Sequence, residues 1–106
     1  MFARNVTMRL KPGRAEDFNR TLENEVMPLL KRQKGFKDEI SFIVTGETQA
    51  IGISLWDNKS NAEAYDRDQY PKVIKALSEV SDGTPTVTTC EVTYSTLHNI
   101  TTATKR

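Results

Sequence analysis

The chain has 106 residues and a mass of 12.0 kDa, a length that favours a single domain with one core. Its formal charge is +1, from 15 Lys and Arg against 14 Asp and Glu, so we expect no nucleic-acid partner, and no apolar run approaches the ~20 residues of a membrane span. One cysteine (Cys90) and one histidine (His98) are too few for a disulfide or a zinc cluster, so we expect no metal site. No secretory signal pattern is visible, so we expect a cytoplasmic protein.

The first predicted element is a strand over residues 2–10. Val6, Met8 and Leu10 alternate with polar residues, which is the period of two typical of a strand with unequal faces. The dipeptide Pro12-Gly13 is expected to end this strand in a turn.

A helical period follows from Arg14 to about Lys34. Pro28 lacks a backbone donor and is expected to bend this helix near Asn24. The helix carries one apolar stripe, formed by Phe18, Leu22, Val26, Leu29 and Leu30.

Two further strands are predicted around a hairpin turn at Gly46-Glu47. The first begins at Phe36, and the return strand spans residues 50–56. We expect one side of this hairpin to lie on the sheet face that the helices leave uncovered; that side comprises Ile43, Ala50, Gly52 and Trp56.

The remaining elements are a two-part helix and a last strand. Ser60-x-x-Glu63 fits a capping box that starts the helix, and Tyr70-Pro71 restarts it. The last strand is expected over residues 86–97, so that residues 1–98 form the domain. Residues 99–106 form a polar tail that is expected to be disordered.

The order β-α-β-β-α-β predicts an α+β, ferredoxin-like sandwich: a four-stranded antiparallel sheet with both helices on one face. Apolar residues are scarce for an isolated domain, about 39% with glycine counted in place of tyrosine, against the usual ~45–50%. A homodimer that packs the two sheets face to face would cover the free face and complete the core.

The sequence resembles the antibiotic biosynthesis monooxygenase family of the dimeric α+β barrel superfamily. The resemblance spans residues 2–96 and depends on the order and spacing of short motifs. These are Val6-Thr7-Met8-Arg9-Leu10-Lys11-Pro12-Gly13 leading to Glu16-Asp17-Phe18; Pro28-Leu29-Leu30 followed by Gln33-Lys34-Gly35-Phe36; and Leu55-Trp56-Asp57 with Ser60, Ala62 and Ala64-Tyr65.

The resemblance implies a dimeric α+β barrel in which each subunit binds its substrate between sheet and helices. Members include cofactor-independent monooxygenases that oxidise quinols or polycyclic phenols with O2, haem-degrading enzymes, and members without an assigned activity. A pocket of this kind would be lined by apolar residues of the first strand and the helices, with aromatic residues at its edge. The substrate-binding candidates are therefore Val6, Phe18, Leu22, Trp56, Tyr65 and Tyr70.

The haem-degrading branch of the family fits poorly. Aligned on Pro12-Gly13, its Asn position falls on Val6, its Trp position at about Tyr65 and its His position near Lys75, so none of the three is kept. The histidine that many members carry in the helix after the Trp is Tyr65 or a neighbour here. No catalytic residue can be assigned on this basis.

For most of the candidate residues, a role in packing would explain their place in the sequence as well as a role in ligand binding would. Trp56 is expected in the core or a dimer contact, and Tyr65 and Tyr70 on an amphipathic helix with their hydroxyls in water. Asp57, Asp66 and Asp68 are expected to be solvated, Cys90 to be a packed thiol and His98 to have no catalytic role. Of Arg4 and Arg9, one is expected to enter the sheet interface with Glu91 as counter-charge.

Two functions stay open at this point. One is a cofactor-independent monooxygenase acting on a phenolic or quinol-type aromatic substrate with O2. The other is a non-catalytic homodimeric module of the same fold that binds a small ligand or has a structural role, because the chain offers no pair of nucleophile and base.

Overall fold

An antiparallel four-stranded sheet forms the centre of the fold in the computed structural model, which describes residues 1–46, 48–97 and 100–101. The strand order is β2-β3-β1-β4, which confirms the predicted ferredoxin-like sheet. The four strands are β1 (Phe2–Leu10), β2 (Phe36–Ile43), β3 (Gln49–Trp56) and β4 (Ser81–Glu91).

The helices pack on one face of this sheet, as predicted. Their side chains form the main core with β1 and β3, and this core includes Leu10, Phe18, Leu30, Trp56 and Leu77. Among the described residues, no helix is long and apolar enough to cross a bilayer. The helices are α1 (Ala15–Thr21), α2 (Met27–Lys31), α3 (Lys59–Asp68) and α4 (Tyr70–Leu77).

A π-helical turn, Leu22–Val26, joins α1 to α2 at the place where Pro28 was expected to disturb the helix. Proline has no N–H to donate to the carbonyl four residues earlier, which is that of Asn24. In the wider π turn, backbone N–H groups donate to the carbonyl five residues earlier instead of four. The Met27 N–H, for example, donates to the Leu22 carbonyl. The chain therefore stays helical through the proline.

Helix α3 begins earlier than its sequence pattern indicated. The N-cap is Asn58, whose backbone is extended and whose Oδ1 accepts the Asn61 N–H at 2.9 Å. Ser60, the predicted cap, lies inside the helix and donates its hydroxyl to Asn58 Oδ1 at 2.9 Å. The predicted capping box is therefore wrong, because an asparagine two residues upstream performs the same task.

Strand β4 both begins and ends earlier than the predicted 86–97, since it spans Ser81–Glu91. Its pairing with β1 shifts between Thr7 and Arg9, and this irregularity accommodates Gly83 and Pro85, which would interrupt a regular ladder. Beyond β4, a short ladder pairs β5 (Tyr94–Ser95) with β6 (Ile100–Thr101). The rest of the predicted polar tail, and His98, lie outside the described residues.

The free face of the sheet is the opposite of the one expected. Ile40 on β2 is paired with Ile53 on β3, and Phe42 with Ile51, so these side chains share one face. The other parity of β3 faces the helices, where Ala50, Gly52 and Ser54 line a cavity. The free face therefore carries isoleucine and phenylalanine side chains on β2 and β3, and Asn5, Thr7, Thr86 and Thr88 on β1 and β4. At the end of this face where Ala3 is paired with Leu55, both residues are buried.

Candidate functional site

A cavity of about 50 Å³ lies between the sheet and the helices. Most of its wall is apolar, and one end is polar. The apolar wall includes Val6, Met8, Phe18, Leu22, Val26, Leu30, Val73 and Leu77; the polar end consists of Arg4, Glu39, Ser41, Ser54, Tyr65 and Tyr70.

The floor of the polar end is a row of three residues on adjacent strands. Glu39 on β2 is paired with Ser54 on β3, which is paired in turn with Arg4 on β1. Residues directly opposite each other in antiparallel strands point to the same side of the sheet, here toward the helices. A carboxyl, a hydroxyl and a guanidinium group therefore stand side by side beneath α3 and α4.

Arg4 is a buried cation, with 2% of its surface exposed. Its Nη2 donates to Asp66 Oδ1 of α3 at 2.7 Å, and its guanidinium carbon lies 5.1 Å from the ring centre of Tyr65 and 4.3 Å from that of Tyr70. A carboxylate partner and two aromatic faces together offset the cost of burying the charge.

The predicted counter-charge for the buried arginine is therefore wrong. Glu91 is exposed at the end of β4, whereas the side of β1 that carries Arg4 is covered by α3, which supplies Asp66. Asp66 was expected to be merely solvated; its side chain is 54% exposed but also forms this ion pair. Arg9, of the opposite parity, is exposed.

Glu39 is a charged residue of the site that was not among the predicted binding residues, and neither were Ser41 and Ser54. Burial raises the pKa of its carboxyl from 4.5 to about 7, although the hydrogen bond from Ser41 and the charge of Arg4 both favour the ionised form. The Ser41 hydroxyl lies 3.2 Å from Glu39 Oε2. The signal in the sequence is a glutamate on the same strand parity as Ser41 and Ile43, where a charged residue would face the helices.

Tyr65 and Tyr70 lie above this floor, with ring centres 6.1 Å apart and ring planes tilted by 53°. Tyr65 is a buried residue. The hydroxyl of Tyr70 is buried without a hydrogen-bond partner among the described residues, so the expectation that Tyr70 keeps its hydroxyl in water is wrong. Burial raises the pKa of both phenols above the usual value of 10. Both side chains are therefore neutral hydrogen-bonding groups at ordinary pH.

Trp56 does not line the cavity. It is completely buried behind Tyr65, with ring centres 4.9 Å apart, and contacts Phe36 edge to face at 5.6 Å. Its Nε1 donates to the Ser54 hydroxyl at 2.9 Å. Of the substrate-binding candidates, the structure brings together Val6, Phe18, Leu22, Tyr65 and Tyr70 at the cavity and places Trp56 in the core beside it.

The cavity is smaller than an aromatic ring requires. An engineered cavity of ~150 Å³ binds benzene, and one water needs ~10–15 Å³ on this measure. At about 50 Å³ the space suits a few waters. A ring would therefore need side chains to move, and Leu22 and Tyr70 are the cavity residues on the helical side that are only half-buried.

The other candidates lie away from the cavity. Cys90 is exposed on β4, paired with Ala3, so the expected packed thiol is wrong for the single chain. Within residues 1–46 and 48–97, no three His, Cys, Asp or Glu side chains group as metal ligands. That the protein uses no cofactor stays a prediction.

Comparisons with known proteins find the same fold in solved structures. A monooxygenase from Streptomyces coelicolor in complex with nanaomycin D is 15% identical at TM-score 0.75, with 89% of this chain and 88% of that chain covered. SnoaB, a cofactor-independent oxygenase from Streptomyces nogalater, is 12% identical at TM-score 0.73, with 90% and 95% covered. NE2512, a protein of unknown function from Nitrosomonas europaea, is 16% identical at TM-score 0.73, with 89% and 90% covered.

No family model and no curated protein matches the chain. At these identities the likeness establishes a shared fold, that of the antibiotic biosynthesis monooxygenase structures, and leaves the chemistry to be argued from the cavity.

Proposed function

We propose that the chain is a cofactor-independent monooxygenase of the antibiotic biosynthesis type, which oxidises a phenolic or quinol-type aromatic compound with O2. The observation that carries the proposal is the cavity between sheet and helices, with an apolar wall and one polar end containing Glu39, Arg4 and two tyrosines. Pockets that are mostly apolar with a few convergent polar groups are typical of sites for small organic ligands. An aromatic compound with a hydroxyl group matches this arrangement, because its ring would contact the apolar wall and its hydroxyl group the polar end.

The proposed chemistry uses the substrate as the reductant. A deprotonated phenol transfers electrons to O2, a C–O bond forms at a ring carbon that loses its hydrogen, and the O–O bond breaks. One phenol and one O2 then give one quinone and one water. The protein's part is to orient the ring, exclude water and accept the hydroxyl proton, because the reacting electrons come from the ring itself.

The alternative is a non-catalytic module that binds a small ligand. The volume of the cavity favours this second function, because about 50 Å³ is too small for a ring in the conformation described. The likeness to a protein of unknown function is equally compatible with it.

Oxygen uptake separates the two functions. We expect protein-dependent O2 consumption with at least one member of a panel of quinols and naphthols. The variant Tyr70→Phe removes the unpartnered hydroxyl at the cavity and should slow the uptake about tenfold, the value of one good hydrogen bond in the transition state.

The matched control is Tyr94→Phe, since Tyr94 is 68% exposed and does not line the cavity. Its rate should equal that of the wild type. If no compound in the panel is consumed while naphthols still bind, the enzyme proposal is wrong and the binding module is supported.

We further propose that two copies of the chain pack through the free sheet faces. The face carries Ile40, Phe42, Ile51 and Ile53 together, and Phe42 is 47% exposed in the single chain. Contiguous exposed apolar side chains of this kind are typical of interaction surfaces. The cytoplasmic location that the sequence led us to expect also stays a prediction.

Light scattering after size exclusion should therefore give twice the 12.0 kDa chain mass at micromolar concentration. Phe42→Asp places a charge in the centre of the apolar half of the face and should shift the protein toward the monomer. Lys72→Asp, on the helical side, is the matched control and should stay dimeric. A wild-type monomer would contradict the proposal.

A further inference from the structure

Glu39 is a half-buried residue whose carboxyl group lies at the cavity without a cationic partner. In the part of the chain that the structure describes, Arg4 is paired with Asp66, and no cation lies within ion-pair distance of the Glu39 carboxyl. Its short contact is the Ser41 hydroxyl at 3.2 Å. A carboxylate that accepts one hydrogen bond has capacity for further donors on both oxygens.

Gly52 on the neighbouring strand β3 leaves room for the Glu39 carboxyl group because it has no side chain. A Cβ at position 52 would lie 2.9 Å from Glu39 Oε2, so the carboxyl rests against the β3 backbone where Gly52 has no side chain. The position therefore suits a carboxyl that faces the cavity.

The charges around the cavity favour proton transfer inside it. Arg4 and Asp66 form one neutral pair, so among the described residues that line the polar end the ionised Glu39 carboxylate is the charge without a partner of opposite sign. When a proton moves from a bound hydroxyl to Glu39, the negative charge moves from the carboxylate to the ligand oxygen. The charge therefore stays inside the cavity. No additional charge has to be buried, and the guanidinium of Arg4 attracts the new oxyanion.

We propose that Glu39 is the proton acceptor for a ring hydroxyl of the ligand, and that Arg4 stabilises the phenolate that results. The ligand O–H bond breaks, an O–H bond forms on the carboxyl group, and the electron pair stays on the ring oxygen. The inference rests on the proposed function and narrows its ligand class to aromatic compounds with a free hydroxyl. A ring whose hydroxyl group is methylated has no hydrogen-bond donor. When such a ring is bound, the ionised Glu39 carboxylate receives no hydrogen bond from it.

Calorimetric titration without O2 tests this assignment independently of turnover. The ligands are 2-naphthol and its methyl ether, 2-methoxynaphthalene, and the proteins are the wild type and Glu39→Gln, which keeps the size and a hydrogen-bond acceptor. Because burial sets the pKa of Glu39 at about 7, the ionised fraction rises from about one-tenth at pH 6 to about nine-tenths at pH 8. Naphthol should therefore bind the wild type about tenfold more tightly at pH 8 than at pH 6.

Other charged groups do not reproduce this pattern. The groups that face Glu39 from the packed elements are Arg4 on β1, Tyr65 on α3 and Tyr70 on α4. Asp66 on α3 lies on the far side of Arg4, with which it forms an ion pair. Burial raises the pKa of both tyrosines above 10, so they stay neutral from pH 6 to pH 8. All of these groups, and His98, are retained in Glu39→Gln, so the difference between the two proteins isolates Glu39.

Glu39→Gln should bind naphthol with the same affinity at both pH values, and the methyl ether should show no tightening toward pH 8 with either protein. The proposal is overturned by an equal pH dependence in Glu39→Gln, by equal behaviour of naphthol and its ether, or by absent naphthol binding to the wild type. O2 uptake is scored separately: pH-dependent binding without uptake contradicts the oxygenase and supports Glu39 as the proton acceptor.

Discussion

Replacing Glu39 by glutamine should stabilise the protein at pH 8 by about 3 kcal/mol and should leave its stability nearly unchanged at pH 4. Burial raises the pKa of this carboxyl from 4.5 in the unfolded chain to about 7 in the folded protein. The folded state therefore binds the proton more tightly than the unfolded state. The stability that this proton confers is fully present below pH 4.5 and is lost as the pH rises through 7.

Urea denaturation followed by circular dichroism measures this effect at fixed protein concentration, since a dimer would make stability depend on concentration. The matched control is Glu23→Gln, because Glu23 is exposed on the helical side. Its pH dependence should follow that of the wild type. If the gap between wild type and Glu39→Gln does not widen from pH 4 to pH 8, Glu39 does not carry a raised pKa.

A more stable variant that binds naphthol less selectively would mark a functional residue. Natural proteins retain buried polar groups at a cost in stability where activity needs them. The ionised Glu39 carboxylate at the polar end of the cavity is such a group, and glutamine keeps the packing without the charge. Stability and ligand affinity are therefore expected to change in opposite directions at this position.

The second large effect is expected at Trp56. Trp56→Ala should lower the free energy of unfolding by about 3–5 kcal/mol, which is a large part of the ~5–15 kcal/mol of a small domain. The side chain is completely buried, contacts the rings of Phe36 and Tyr65, and donates to the Ser54 hydroxyl. Its removal opens a cavity and leaves these partners without their contacts.

Two milder variants separate these contributions. Trp56→Phe keeps much of the ring area and should cost less than the alanine variant, whereas Ser54→Ala removes only the acceptor of the indole N–H and should cost about 1–3 kcal/mol. The chain has a single tryptophan, so circular dichroism replaces fluorescence as the probe. A loss below about 1 kcal/mol for Trp56→Ala would contradict a packed, central indole.

The architecture was predictable because local pattern and global topology agree. The alternation of Val6, Met8 and Leu10, and the helical stripe from Phe18 to Leu30, both have their expected faces toward the core. The sequence did not predict which face of the hairpin the helices cover. A period of two assigns residues to two faces but does not indicate which face is buried. On β3 the smaller residues face the helices, since Glu39 and the tyrosines occupy space there.

The polar end of the cavity depends on contacts between distant parts of the chain. Arg4 and Asp66 are 62 positions apart, and nothing near either residue indicates the other. Glu39 reaches the cavity only because β2 is paired with β3 in one particular register. The apolar cavity residues Val6, Phe18 and Leu22 were accessible to prediction because their own elements place them.

The π-helical turn Leu22–Val26 affects how this chain can be aligned with others. A π turn is equivalent to one residue inserted into an α-helix, so the positions on either side are offset by about 100° from a continuous helix. A homologue without the turn would be one residue shorter between Phe18 and Leu30. An ungapped alignment across this segment would therefore match cavity residues on one side of the turn with surface residues on the other.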